Sequence, residues 1–173
     1  METALISLVC IAMVIIGTVT LCMSAFQGAI SVTDSVKAME TEAGIIRRTG
    51  IAAVPPAQYS GGNIELMVRN EGQTNLSQFS RWDVIAQYLD DSAVKHVDYV
   101  EYTAGNPPGP NQWTVEGIYL LSGDPEAFDP NILDPWEQMK IVINLDPGIG
   151  TYGRITVSTP NGVTSECPVS RSD

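Results

Sequence analysis

Between Glu2 and Asp34 the chain carries no charged residue, and from Ala4 to Phe26 it runs ALISLVCIAMVIIGTVTLCMSAF. A bilayer is crossed by about 20 apolar residues in helical form, so this run is long enough to span one. Ser7, Thr18, Thr20 and Ser24 do not gather on one side, which leaves no face suited to water. Its thirteen large apolar side chains would contribute roughly 20–40 kcal/mol on full burial, at ~1.5–3 kcal/mol each and as an upper bound. Such a segment must enter a membrane or be covered by other protein.

A secretory signal would need a positive n-region, a shorter apolar stretch and a small-residue cleavage site. No Lys or Arg precedes this run, and the pattern does not stop where a signal would. Val32, Val36, Met39, Ala43 and Ile46 follow at spacings of 4, 3, 4 and 3, marking one buried stripe on a continuing helix. Asp34, Lys37, Glu40 and Arg47 fall off that stripe. Thr49-Gly50 and Pro55-Pro56 predict the helix end, because Gly suits the position after a helix and proline cannot continue one. A permanent single-pass anchor is the plainer alternative. Its first positive charges, Lys37, Arg47 and Arg48, follow the span, which would place the following domain in the cytoplasm.

Past Gly50 the composition changes. Residues 51–173 hold 16 Asp or Glu against 6 Lys or Arg, a net −10 of the chain's −11. That balance excludes the basic footprint of a nucleic-acid binder and predicts repulsion from anionic lipid surfaces. Residues 51–62 read as a linker. Alternating runs predict strands at 63–69, 82–89, 94–102, 113–121, 139–145, 153–159 and 163–169. Asn70-Glu71-Gly72, Asp90-Asp91, Asp146-Pro147-Gly148 and Pro160-Asn161-Gly162 separate them, with the 105–110 stretch between the third and fourth. Asn161-Gly162 is a hairpin signal. The expected fold class is α+β: a long N-terminal apolar α-helix (residues 1–50), then an immunoglobulin-like antiparallel β-sandwich over 63–173.

Catalytic chemistry is not legible. His96 is the only histidine, in a predicted strand, and there is no GxSxG, P-loop or GxGxxG. No catalytic residue, cofactor or metal is expected. The acids Asp124, Glu126, Asp129, Asp134 and Glu137 do not keep EF-hand spacing and read as a solvated loop rather than a calcium site. Cys10 and Cys22 lie in the apolar helix, leaving Cys167 without a disulfide partner in the β domain. Asn75-Leu76-Ser77 is an N-glycosylation sequon in a predicted loop.

The apolar start ETALISLVCIAMVIIGTV, the segments IELMVRNEGQTNLSQFSRWDV and LDPWEQMKIVINL, and the closing RITVSTPNGVTS together resemble the archaellins, archaeal flagellins of the type IV pilin-like class. Position 5 is Leu5, where bacterial type IV pilins usually carry Glu. The resemblance implies a non-enzymatic subunit of an extracellular motility filament, with helices bundled in its core and Ig-like domains outward. It implies three kinds of partner: copies of the chain itself, an inner-membrane assembly platform, and a prepilin-type peptidase during biogenesis. The chain would reside transiently in the cytoplasmic membrane before assembly. Leu5, Leu8, Ile11, Ile15, Val19, Val36, Met39 and Ile46 are the expected core-packing residues. An adhesive pilus subunit and a membrane-anchored accessory protein of the same machinery are the alternatives. Met1 fits either the mature first residue or the initiator.

Overall fold

The computed structural model describes residues 2–60 and 62–171, with the side chains of residues 2–5, 56, 58 and 60 left aside. It divides into two compact units, residues 1–44 and 45–173.

The first unit is helical, the greater part of α1 (Glu2–Arg48). No proline interrupts it, and Gly17, Gly28 and Gly44 are its only glycines. The hydroxyls of Thr18 and Thr20 turn back onto the helix. Thr18 Oγ1 donates to the carbonyls of Val14 (3.0 Å) and Ile15 (2.9 Å), and Thr20 Oγ1 to that of Ile16 (2.8 Å). Thr33, Ser35 and Thr41 do the same four residues back. Back-bonding of this kind satisfies a hydroxyl without an outside partner.

The second unit opens with the last turn of α1. Its eight strands are β1 (Ile51–Ser60), β2 (Asn63–Asn70), β3 (Asp83–Leu89), β4 (Lys95–Tyr102), β5 (Gln112–Tyr119), β6 (Gln138–Asn144), β7 (Tyr152–Ser158) and β8 (Thr164–Ser170). They pair in the order β1-β2-β6-β5-β4-β3-β7-β8 and close on themselves. Antiparallel ladders build two four-stranded sheets, β1-β2-β6-β5 and β4-β3-β7-β8. Two short parallel seams join them, Glu101–Tyr102 against Gln112–Trp113 and Ala57 against Val169. With β1 to β8 taken as A, B, C, C′, D, E, F and G, this is immunoglobulin-type strand order, A-B-E-D facing C′-C-F-G.

Inward positions alternate as the pleat requires. β2 turns Ile64, Leu66, Val68 and Asn70 inside, and β3 turns Val84, Ala86 and Tyr88. Trp82 and Trp113 fill the centre with Ile141, Ile143 and Ile155. Trp113 meets Tyr102 edge-on at 5.0 Å. Cys167 is buried in this core, where desolvation pushes its thiol pKa up.

Residues 51–60, the greater part of the expected linker, are instead strand β1. β1 pairs with β2 from Ile51 to Ser60, and the register slips between Val54 and Gln58. Pro55 and Pro56 sit within that slip, where a strand without their N–H groups loses nothing. The prolines that made the segment look like a connector mark a bulge instead.

Candidate functional site

Neither unit offers a catalytic constellation among the described residues. His96 lies on β4, its ring stacked on Tyr88 at 5.1 Å and its Nε2 3.0 Å from Asp90 Oδ2. The other oxygen of Asp90 accepts from the N–H groups of Ser92 and Val94, both at 2.8 Å. The hydrogen bond to His96, followed by those backbone donors, holds the Asp90 carboxyl below its ordinary value. The group therefore ties the β3–β4 turn to the adjoining strands. Tyr88, 3% exposed, donates to Asp98 Oδ2 at 2.8 Å, and burial and that carboxylate push its phenol well above 10. Because the raised group is neutral when folded, it adds stability below its unfolded pKa of about 10 and loses it as pH climbs further. Tyr88→Phe should therefore flatten the alkaline limb of a thermal-melt-versus-pH curve above pH ~10, relative to the unsubstituted chain.

Among the described residues no group of three or more His, Cys, Asp or Glu side chains is placed to hold a metal ion. The acidic loop is not simply solvated, however. Glu137 is 7% exposed and accepts from the Asp134 N–H at 2.8 Å, with desolvation raising its pKa. Glu126 accepts from the Phe128 N–H at 2.7 Å and is held low by it. These carboxylates cap local turns, a role their spacing did not announce.

The surface that demands an explanation is the helix. Leu8, Ile11, Ile15, Val19, Val36, Met39 and Ile46 range from 45% exposed at Ile46 to 72% at Met39. The side chain of Leu5 lies outside the described residues. Ile6, Met13, Leu21 and Phe26 are equally uncovered on other sides. From residue 6 onward α1 is long and apolar enough to cross a membrane. A soluble monomer rarely leaves contiguous apolar area of this size in water. Lipid or other protein is the natural cover.

The end of α1 is built differently. Arg48 O accepts from Gln73 N at 2.7 Å, and Gly50 O from Glu71 N (2.9 Å) and Gly72 N (3.1 Å). A Cβ on Gly72 would stand 2.5 Å from Arg48 O and from Gly50 N, so only glycine fits. Thr49 Oγ1 donates to Ile45 O (2.9 Å) and accepts from Asn161 Nδ2 (2.8 Å). Asn70, fully buried, donates to the carbonyls of Thr74 (2.8 Å) and Leu133 (2.9 Å) and accepts from Gly72 N at 3.0 Å. Its backbone completes the knot, with Asn70 N donating to Glu137 O and Trp136 N to Asn70 O. The Asn-x-Gly and Pro-Trp-Glu segments quoted from the sequence are thus two sides of one hydrogen-bonded junction. Asn75 is exposed on the loop following β2.

A family model described as archaeal-type flagellin matches residues 4–167, the helix and nearly all of the β unit. Among solved structures, the archaellum periplasmic stator protein FlaG from Sulfolobus acidocaldarius is similar at 23% identity and TM-score 0.50. That match covers 69% of this chain and 98% of FlaG. A chain of the archaellum periplasmic stator protein complex FlaF and FlaG, from the same organism, matches at 22% identity and TM-score 0.49, over 68% of this chain and 86% of that one. At these identities the likeness is one of fold. No curated protein matches the sequence.

Proposed function

The chain belongs to the archaeal-type flagellin family, a family of structural archaellum proteins, and we propose that it is the self-assembling subunit of an archaellum-type motility filament. The observation that carries this reading is the bare surface of α1. It is apolar on every side in its first half and on one stripe in its second, and the family match takes in that helix together with the β unit.

In this reading the first half of α1 is stored in the cytoplasmic membrane and then surrounded by helices of other copies. The stripe through Val36, Met39 and Ile46 packs nearer the outside. The acidic β domain faces solvent, where its like charges keep neighbouring surfaces soluble. A prepilin-type peptidase and a membrane assembly platform act on the chain before it joins the filament, and rotation is supplied by other components. Asn75, on an exposed loop, is the place for an N-linked glycan.

Shearing cells and imaging the supernatant tests the reading. Filaments whose main protein yields peptides of this chain are expected, and deletion of its gene should abolish swimming but not attachment. Recovery of the protein only in membranes would instead make it an anchored accessory component. Loss of attachment with swimming intact would make it an adhesive subunit. Mass spectrometry of the same filaments should find Asn75 modified.

A further inference from the structure

Two surfaces of the β domain are opposite in charge and each carries exposed apolar side chains. The first is a knob on the β5–β6 connection. Between Leu120 and Glu137 there is no Lys or Arg, whereas Asp124, Glu126, Asp129 and Asp134 all fall there. At its tip Phe128 is 91% exposed, the most exposed large apolar side chain of the described residues. Its backbone is fixed, since Phe128 N donates to Glu126 Oε1 and Ile132 N to Asp129 O at 2.9 Å. A phenyl ring held out in water between carboxylates is a costly arrangement for a monomer.

The second surface is a groove at the Leu89 end of the β4-β3-β7-β8 sheet, lined by the exposed Gln87, Leu89, Lys95, Tyr152 and Arg154 and reaching the buried Tyr88. Leu89 and Tyr152 are 39% and 52% exposed and give it an apolar floor. No carboxylate belongs to the lining. Arg154 is shared with Glu166 at 3.0 Å, and Arg69, Lys140 and Arg171 are likewise engaged in ion pairs. Among the described residues of the β domain Lys95 and Arg81 have no such partner, and Arg81 is occupied by the Gln78 side-chain carbonyl at 3.0 Å. In a domain this acidic, an unpaired ammonium beside an apolar floor suits an aromatic ring flanked by acids.

Strand register, with the β5–β6 connection pinned by bridges from Tyr119 to Pro125 and from Leu76 to Leu133, sets the two at different ends of the domain. The β5–β6 connection leaves from Tyr119 and returns at Gln138, which pairs with Arg69 beside the Ile51 end of β1. The groove lies level with Gly153, whose partner Val169 is level with Ala57. Five residues of strand, from Ala52 to Ala57, about 17 Å, separate those levels. The groove's complement must come from elsewhere.

We propose that Phe128 and its flanking acids on one copy dock into the Lys95–Tyr152 groove of the next. Such a contact joins unlike surfaces, and between copies whose α1 helices run the same way in a filament it repeats along a row rather than closing after two. It rests on the self-assembly reading above and adds a specific contact between outer domains to the packing of helices.

The test is thiol crosslinking in intact cells. Phe128→Cys and Tyr152→Cys are introduced together in the full chain, cells are oxidised, and sheared filaments and membranes are both run without reductant. A ladder of dimers, trimers and longer species is expected, at least tenfold above the unsubstituted chain with its native Cys10 and Cys22. Each single substitution, and Phe128→Cys with Thr164→Cys at the other end of the sheet, should give no ladder. If the pair yields no ladder in either fraction, or the Thr164 control yields an equal one, the contact is wrong. Filaments from the unsubstituted chain are scored separately, so loss of the filament reading and loss of this contact show as different results.

Discussion

Ile15→Asp abolishes filaments while leaving the β domain folded. Ile15 sits at the midpoint of the 4–26 run and is 56% exposed in the single chain, and the neighbouring Thr18 hydroxyl already donates to the carbonyls of Val14 and Ile15. A charged side chain at that depth costs about 3 kcal/mol even on the gentler insertion scales. Buried unpaired in a helix bundle it costs several more. The penalty recurs in every subunit, so partial assembly is not expected. Trp82 and Trp113 are buried in the second unit, and their near-ultraviolet dichroism in detergent should match that of the unsubstituted chain. Ile15→Leu, similar in volume, should assemble. Normal filaments from Ile15→Asp would remove the helix from the assembly surface.

The second large effect lies at Asn70. Asn70→Asp keeps the shape but turns the donor that faces Thr74 O and Leu133 O, at 2.8 and 2.9 Å, into an acceptor. Two carbonyls and a carboxylate then point at each other in a site with no exposure. A loss of about 3–5 kcal/mol follows from an uncompensated buried charge, against about 1–3 for a single unsatisfied group. The substituted carboxyl would keep its proton in the folded state, so its folded pKa lies above the unfolded one. Stability is then retained below the unfolded value of about 4 and falls as pH rises through the folded one. Thermal melts should show the variant closer to the unsubstituted chain at pH 4 than at pH 7. Equal melting at both values would mean that the junction is not held by the amide.

Local pattern accounts for most of what the sequence disclosed. The end of α1, the seven later strands and their turns follow from periodicity and from Gly, Pro and Asn at the breaks. β1 was missed because Pro55-Pro56 disqualify a regular strand, and only the bulge opposite them makes the pairing work. The parallel seams at Ala57 and Tyr102 join residues over 100 and about 11 positions apart respectively, and no short-range signal encodes them. Asn70 was legible as a turn residue, but not its amide's bond to Leu133, 63 residues on. The helix surface was legible because exposure on every side needs only composition. The knob and groove were not: each is a short cluster whose meaning depends on which end of a strand it occupies.

Thr18 and Thr20, whose hydroxyls close on their own helix, have a consequence for how such a chain changes surroundings. No hydrogen bond at these positions must be broken or remade when the medium around the helix is exchanged. Hydrocarbon tails and leucine side chains solvate such a surface about equally well. The step from one to the other then has little intrinsic direction. Whatever makes it one-way must come from shape, from the charged turns beyond Asp34, or from work supplied by another protein.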